Sequence, residues 1–401
     1  MRPFRGLRYT EAAGALGTLL SAPSGVLTPV GRDDYAHRSP HNAISIAAPE
    51  GSGDDRSKFI RFARGSAILA DWRRQGLIAA EDRPAFYRLT QKFGTDGVHT
   101  SLFAVANLKN TVPIETPDPK TKEDRLRLLE ATRTTFEPTV AYYEDPDGSA
   151  LETLRNARTG TDAVATADGI TSRLEKIDDP ATVEAITTAF SGKTFLVGDG
   201  VEGTEAARSF RDSLYNPAEG PLPEDGTLLL LASLSDPSFS LLPVHPVIRR
   251  FPGGLGRDEV LARLSTRFSI EEHQNRNLEI HLGRASEEGR IRFGMATEGG
   301  LGYLLTAQSD LAMPASMWLQ SEILAGLFGI SANDPILYFN EPNHAIRAAD
   351  EGAAAAFLLP RPHRSDLLEA QRLGTTLPHR SLSKFPWVPT GLVMWAMGDD
   401  A

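Results

Sequence analysis

The chain has 401 residues, 41% hydrophobic and 23% charged, with a formal net charge of -10 at pH 7. That composition is ordinary for a soluble globular protein, and the acidic balance argues against a nucleic-acid role, which needs a basic face. With 0 cysteines, disulfides, thiolate zinc and a cysteine nucleophile are excluded.

In chain order, the opening "MRPFRGLRY" is basic, but no apolar segment follows it, so no signal peptide is expected. No run of about 18 apolar residues marks a membrane span, and the cytoplasm is the expected compartment. "SAPSGVLTPVG" reads as a loop and "NAISIAAP" as a strand. Phe59, Phe62, Ile68, Leu69 and Trp72 have helical spacing, with Gly76 suited to the helix end. "AFYRLTQKF" and "VHTSLFAVANL" read as strands and "IETPDPKTKE" as a loop. A helix then turns Leu126, Leu129 and Ala131 or Thr132 inward, and "TVAYYED" is a strand. Phe195-Leu196-Val197 is a short strand, Gly198-Asp199-Gly200 turns the backbone, and a helix opens near Thr204 and Glu205.

"GTLLLLASL" and "SLLPVHPVI" read as buried strands. After Gly256 come a helix and a strand, then a hairpin turning at Glu298-Gly299-Gly300. "SMWLQSEILAGLFGI" is an apolar helix, and strands at "PILYFNE", "AAAAFLL" and "GLVMWAM" alternate with helices at "NHAIRAADEG" and "SDLLEAQRLG". The pattern predicts a mixed α/β protein, a compact multi-layer body with mixed sheets. Three parts are expected: 1–110, 111–255 and 256–401, the central one carrying the Gly-Asp-Gly turn.

Five stretches together resemble one family, the bacterial and archaeal domain-of-unknown-function 1015 family. They are Arg2 to Tyr9, Ala22 to Leu27, Ser39-Pro40-His41-Asn42, the Lys-x-Asp-Arg helix from Lys122 to Arg133, and Pro378 to Val393 with its Pro-x-x-Pro-Thr-Gly-Leu-Val ending. The resemblance implies phosphorylation of free serine, as in some members, with pyrophosphate or ATP as phosphate donor together with Mg. It also implies a ParB/sulfiredoxin-like core. The family's motif Asp-Gly-His-His-Arg-Tyr-Glu-Thr-Ala falls on Asp199 to Ala207. Asp199, Gly200, Glu205 and Ala207 match, whereas Val201, Glu202 and Gly203 stand where the family has two histidines and an arginine. The family's His-Glu is Ile114-Glu115 here, and the Asp of its Pro-Tyr-Asp is Gly25.

A strand, a glycine turn and a helix start together make an anion site, yet Glu202 puts a carboxylate there. Like charges about 4 Å apart repel by roughly 4 kcal/mol at an effective dielectric near 20. Serine phosphorylation by the family route is therefore expected to be weak or absent, and restoring Val201→His, Glu202→His and Gly203→Arg to improve phosphate-donor affinity.

Asp199, Glu202, Glu205 and His245 are the catalytic candidates. Asp199 and Glu205 read equally as helix-start stabilisers, Glu202 as an exposed loop carboxylate, and His245 as a satisfied histidine at a strand end. Gly198, Gly200, Glu115, Lys122, Asp124, Arg125, Arg380 and Ser381 are the substrate-binding candidates. The alternative for Lys122, Asp124 and Arg125 is a solvated helix turn with local ion pairs, and for Arg380 and Ser381 a surface loop. The segments around Asp199, Lys122 and Arg380 are expected to meet. An acidic wall and a basic wall would then suit a zwitterionic amino acid. No metal-ligand spacing is present, and nothing signals oligomeric state. Two functions remain open: a diverged transferase, or other small-molecule enzyme, acting on an amino-acid-like or phosphorylated substrate, and a non-catalytic binding or regulatory protein on the same fold.

Overall fold

The computed structural model describes residues 1–160, 162–214, 222–285, 291–308, 313–331 and 334–400. Helices alternate with mixed and antiparallel sheets, so the fold is mixed α/β. Contacts divide the chain into two compact units where the sequence pattern suggests three parts. One holds Met1–Pro113, Pro117–Ser240 and Pro386–Ala401; the other holds Ile114–Thr116 and Leu241–Phe385. No helix among the described residues is long and apolar enough to cross a membrane.

The first unit is built on an eight-stranded sheet. Its order is Thr111–Pro113, Phe195–Val197, Thr139–Tyr143, Gly226–Ser233, Gly97–Asn107, Phe86–Phe93, Ile170–Ile177 and Asp162–Ala167. Every residue of Gly226–Ser233 is buried, as its unbroken leucine run predicts for a central strand. Phe86, Leu102, Tyr143, Phe195 and Leu229 pack with Leu154 and Ile186 from flanking helices. A smaller sheet orders Ile78–Ala80, Gly6–Tyr9, Met394–Ala396 and Thr134–Thr135. The strand Met394–Ala396 pairs antiparallel with both Gly6–Tyr9 and Thr134–Thr135, which carries the end of the chain to the residues just before Thr139–Tyr143.

The second unit has a six-stranded sheet, ordered Phe268–Gln274, Leu301–Ala307, Arg292–Ala296, Ala355–Leu358, His245–Ile248 and Ile336–Phe339. Alternate residues feed two cores. Ile248, Met295, Leu305 and Phe357 pack with Trp318 and Ile323 on one face. Val247, Ala296, Leu304 and Ala356 pack with Leu282, Ala345 and Ala349 on the other. This is the period-two division that strands impose.

Several elements differ from the sequence expectation. "NAISIAAP" is one helical turn, Ile44–Ala47, because Asn42 Oδ1 accepts the Ile44 N–H at 3.0 Å and its Nδ2 donates to Thr18 and Leu20 carbonyls. The helix Pro119–Thr132 starts earlier than expected, capped by the Asp118 side chain on Thr121 N at 2.7 Å. It buries Leu128 and Leu129, while Leu126 is half-buried and Ala131 exposed. The apolar stretch after Pro314 is α-helical over Ala315–Trp318 and π-helical over Leu319–Leu327.

Candidate functional site

The Gly-Asp-Gly turn is stitched to the neighbouring strand Thr139–Tyr143. Gly198 N donates to Val140 O at 3.2 Å, and Val140 N donates to Asp199 O at 2.9 Å. Thr139 Oγ1 donates to Gly200 O at 3.1 Å. Gly200 has φ 83, a left-handed conformation that glycine enters without strain. At Gly203 an added Cβ would lie 3.0 Å from Thr139 Oγ1. The helix begins at Val201 rather than near Thr204, and runs Val201–Leu214.

That earlier start changes the reading of Glu202. It lies in the first helical turn, 8% exposed, and its carboxylate accepts the Asp118 N–H at 3.1 Å. The expected exposed loop carboxylate is thus a buried tie between the starts of the two helices Pro119–Thr132 and Val201–Leu214. Two donors of the expected anion cradle are also engaged: Val201 N bonds Gly198 O at 2.9 Å and Gly203 N bonds Gly200 O at 2.8 Å. With these two donors spent and a buried carboxylate in the first helical turn, the turn disfavours a phosphate group. Asp199 is half-buried. Glu205 pairs with Arg208 at 3.3 Å, which also donates to Thr111 Oγ1 at 3.0 Å.

Lys122 and Asp124 lie on the Pro119–Thr132 helix, where Asp124 pairs with Arg61 of the Ile60–Arg74 helix at 2.6 Å. Arg125 reaches a residue that sequence reasoning missed, Glu137. Its guanidinium donates to the Glu137 carboxylate and, at 2.5 Å, to Ser24 Oγ. Glu137 also accepts Ser24 N at 2.8 Å, Ser24 Oγ at 3.0 Å and Thr390 Oγ1 at 2.9 Å. Thr390 is held in turn by Ser21, Thr390 N donating to Ser21 O at 2.9 Å. Gly391, at φ 87, lies against Ala43, whose Cβ would be 2.5 Å from an added Cβ. Two residues past Glu137, Thr139 holds the Gly-Asp-Gly turn.

The loop Ala22 to Leu27, Asn42 with its neighbour Ala43, the Lys-x-Asp-Arg helix, the Pro-Thr-Gly segment and the Gly-Asp-Gly turn therefore converge at the start of one strand. Nothing in periodicity or charge pattern singles out Glu137; the only signal is a lone carboxylate beside Pro138 ahead of an apolar strand.

Other candidates belong to the second unit. Glu115, 4% exposed, accepts Ser381 N and Leu382 N, each at 3.1 Å. Ser381 Oγ donates to Pro378 O at 2.6 Å. Arg380 takes φ 53, and its guanidinium lies 6.0 Å from the Tyr338 ring centroid. His379, Arg380 and Ser381 border a cavity of about 20 Å³, with Tyr338 and the π-helical Gln320 also on its wall. That is room for about one water.

His245 is buried and its Nδ1 accepts Leu359 N at 3.2 Å, which places the ring proton on Nε2. Burial pushes its pKa down to about 4, so the imidazole is neutral near pH 7. Because the folded-state pKa is lowered, the unfolded chain takes up the proton first. Stability from this group is full above about pH 6.5, the unpaired histidine value. It falls as pH drops and is lost by about pH 4. Urea titrations from pH 7.5 to 4 should show this loss reduced in His245→Gln; an unchanged pH slope would contradict the assignment.

A family model described as "Protein of unknown function (DUF1015)" matches residues 1–327. The chain belongs to the DUF1015 family. No curated protein matches this family member. Among solved structures, it is similar to a conserved hypothetical protein from Pyrococcus furiosus, with 12% identity, TM-score 0.40, and coverage of 75% of this chain and 97% of that one. It is similar to a free serine kinase in complex with AMP, with 14% identity, TM-score 0.37, and coverage of 73% and 90%. It is also similar to SbnI with a C-terminal truncation from Staphylococcus aureus, with 10% identity, TM-score 0.40, and coverage of 72% and 85%.

Proposed function

We propose that this DUF1015 protein is a diverged small-molecule enzyme whose ligand site lies at the start of the Thr139–Tyr143 strand. The substrate class is amino-acid-like or phosphorylated. The family resemblance makes transfer of a phosphoryl group to a hydroxyl the default reaction class. The observation that carries the proposal is the convergence of separate family segments on Glu137 and the Gly-Asp-Gly turn. Loops held by a rigid sheet are where sites are commonly built. Ser24 and Thr390 place hydroxyls, and Arg125 a guanidinium, beside one carboxylate, a set able to recognise a small zwitterion.

A second reading, a non-catalytic binding protein on the family frame, is favoured by the closed turn. Val201 N and Gly203 N bond carbonyls of the turn itself, and Glu202 is turned to Asp118. One assay can remove this second reading. Purified protein is incubated with L-serine and either pyrophosphate or ATP with Mg²⁺, and phosphoserine is measured. The geometry of the turn predicts weak or no formation. Robust phosphoserine production would show that the family's histidines and arginine, missing from this turn, are dispensable and would remove the binding-only reading.

A further inference from the structure

The second unit contains a cleft that none of the family motifs enters. Its volume is about 830 Å³, within the roughly 300–1,000 Å³ usual for small-molecule sites. It lies between the first turn of the helix Arg257–Leu264, the hairpin loop at Glu298 and Gly299, and the segment Gly352 to Ala354 that leads into the strand Ala355–Leu358. Half-buried Leu255, Ala353 and Ala354 give it apolar walls, with Met295 of the core behind them.

The charged groups around it are unbalanced. Arg257 is matched by Asp258, its Nε lying 3.7 Å from the carboxylate. Two further carboxylates remain on the lining, Glu259 and Glu298. Glu259 accepts the Gly256 N–H at 3.0 Å. Among the described residues, exposed Glu298 makes no hydrogen bond or ion pair. Because Glu259 satisfies the helix start and the remaining charge is negative, the cleft disfavours an anion.

We propose that this cleft binds a small organic amine carrying an apolar group. The apolar part lies on Leu255, Ala353 and Ala354, and the ammonium faces Glu298 and Glu259. This site lies within the second unit and does not depend on the ligand site assigned to the first.

The test is calorimetric titration of the full chain with phenethylamine and with phenylacetate, which keeps the ring and reverses the charge. Wild-type protein should bind phenethylamine at one site and phenylacetate far more weakly. Glu298→Lys, in an exposed loop, should weaken phenethylamine at least about tenfold. Ala353→Phe, which fills the wall, should abolish binding. Circular dichroism of both variants checks that they are folded, and if Ala353→Phe does not fold, the Glu298→Lys result alone decides. No saturation by phenethylamine up to about 1 mM, equal affinity for the two probes, or binding unchanged in Glu298→Lys would each overturn the proposal.

Discussion

Replacing Glu137 by alanine should lower the unfolding free energy by about 3 kcal/mol, with loss of ligand binding at the same site. The carboxylate is half-buried and accepts from Arg125, from the Ser24 N–H and hydroxyl, and from the Thr390 hydroxyl. Its removal leaves a guanidinium, two hydroxyls and an amide without that acceptor. It also removes one of the links between the loop Ala22 to Leu27 and the Pro-Thr-Gly segment. Glu137→Gln keeps an acceptor and loses the charge, so it should destabilise by about half as much. Urea unfolding of the three proteins measures this order. Equal stability of Glu137→Ala and the parent would mean that the cluster does not organise these segments.

The triple substitution Val201→His, Glu202→His and Gly203→Arg should destabilise the protein rather than create a phosphate site. Val201 is 1% exposed within the first unit's core, and burying an imidazole there carries a desolvation cost of about 2 kcal/mol. Glu202 is the acceptor for Asp118 N, and losing it adds about 1 kcal/mol. At Gly203 even a Cβ comes within 3.0 Å of Thr139 Oγ1. The summed loss is expected near 3 kcal/mol or more, measured by thermal and urea unfolding with pyrophosphate titration alongside. A triple variant as stable as the parent that gains pyrophosphate affinity would show that the turn is an anion cradle after all.

Much of the fold is legible in the sequence because its signals are local. The leucine run of Gly226–Ser233, the hairpin through Gly299, and the helix Ile60–Arg74 ahead of Gly76 follow from hydrophobic period and glycine placement. The misread elements depend on partners far away in the chain. Ile44 and Ile46 alternate like a strand, but Asn42 binds carbonyls more than twenty residues earlier and sets a helical turn. Glu202 reads as a loop carboxylate until the start of another helix supplies its donor. Glu137 is silent in sequence for the same reason, since Ser24 and Thr390 lie 113 and 253 residues away from it. The family resemblance marks the segments of the candidate site, but nothing local marks the residue on which they converge.

Calorimetric titration of L-serine and O-phosphoserine into the parent protein and Ser24→Ala tests the central claim most directly. Ser24→Ala removes one hydroxyl while leaving the Glu137–Arg125 pair and the Ser24 backbone donor in place, so the fold should be retained. The account predicts saturable binding of at least one of the two compounds by the parent, weakened about tenfold or more in Ser24→Ala. Binding that is identical in both proteins, or binding of neither compound by the parent, would contradict a ligand site at the start of the Thr139–Tyr143 strand.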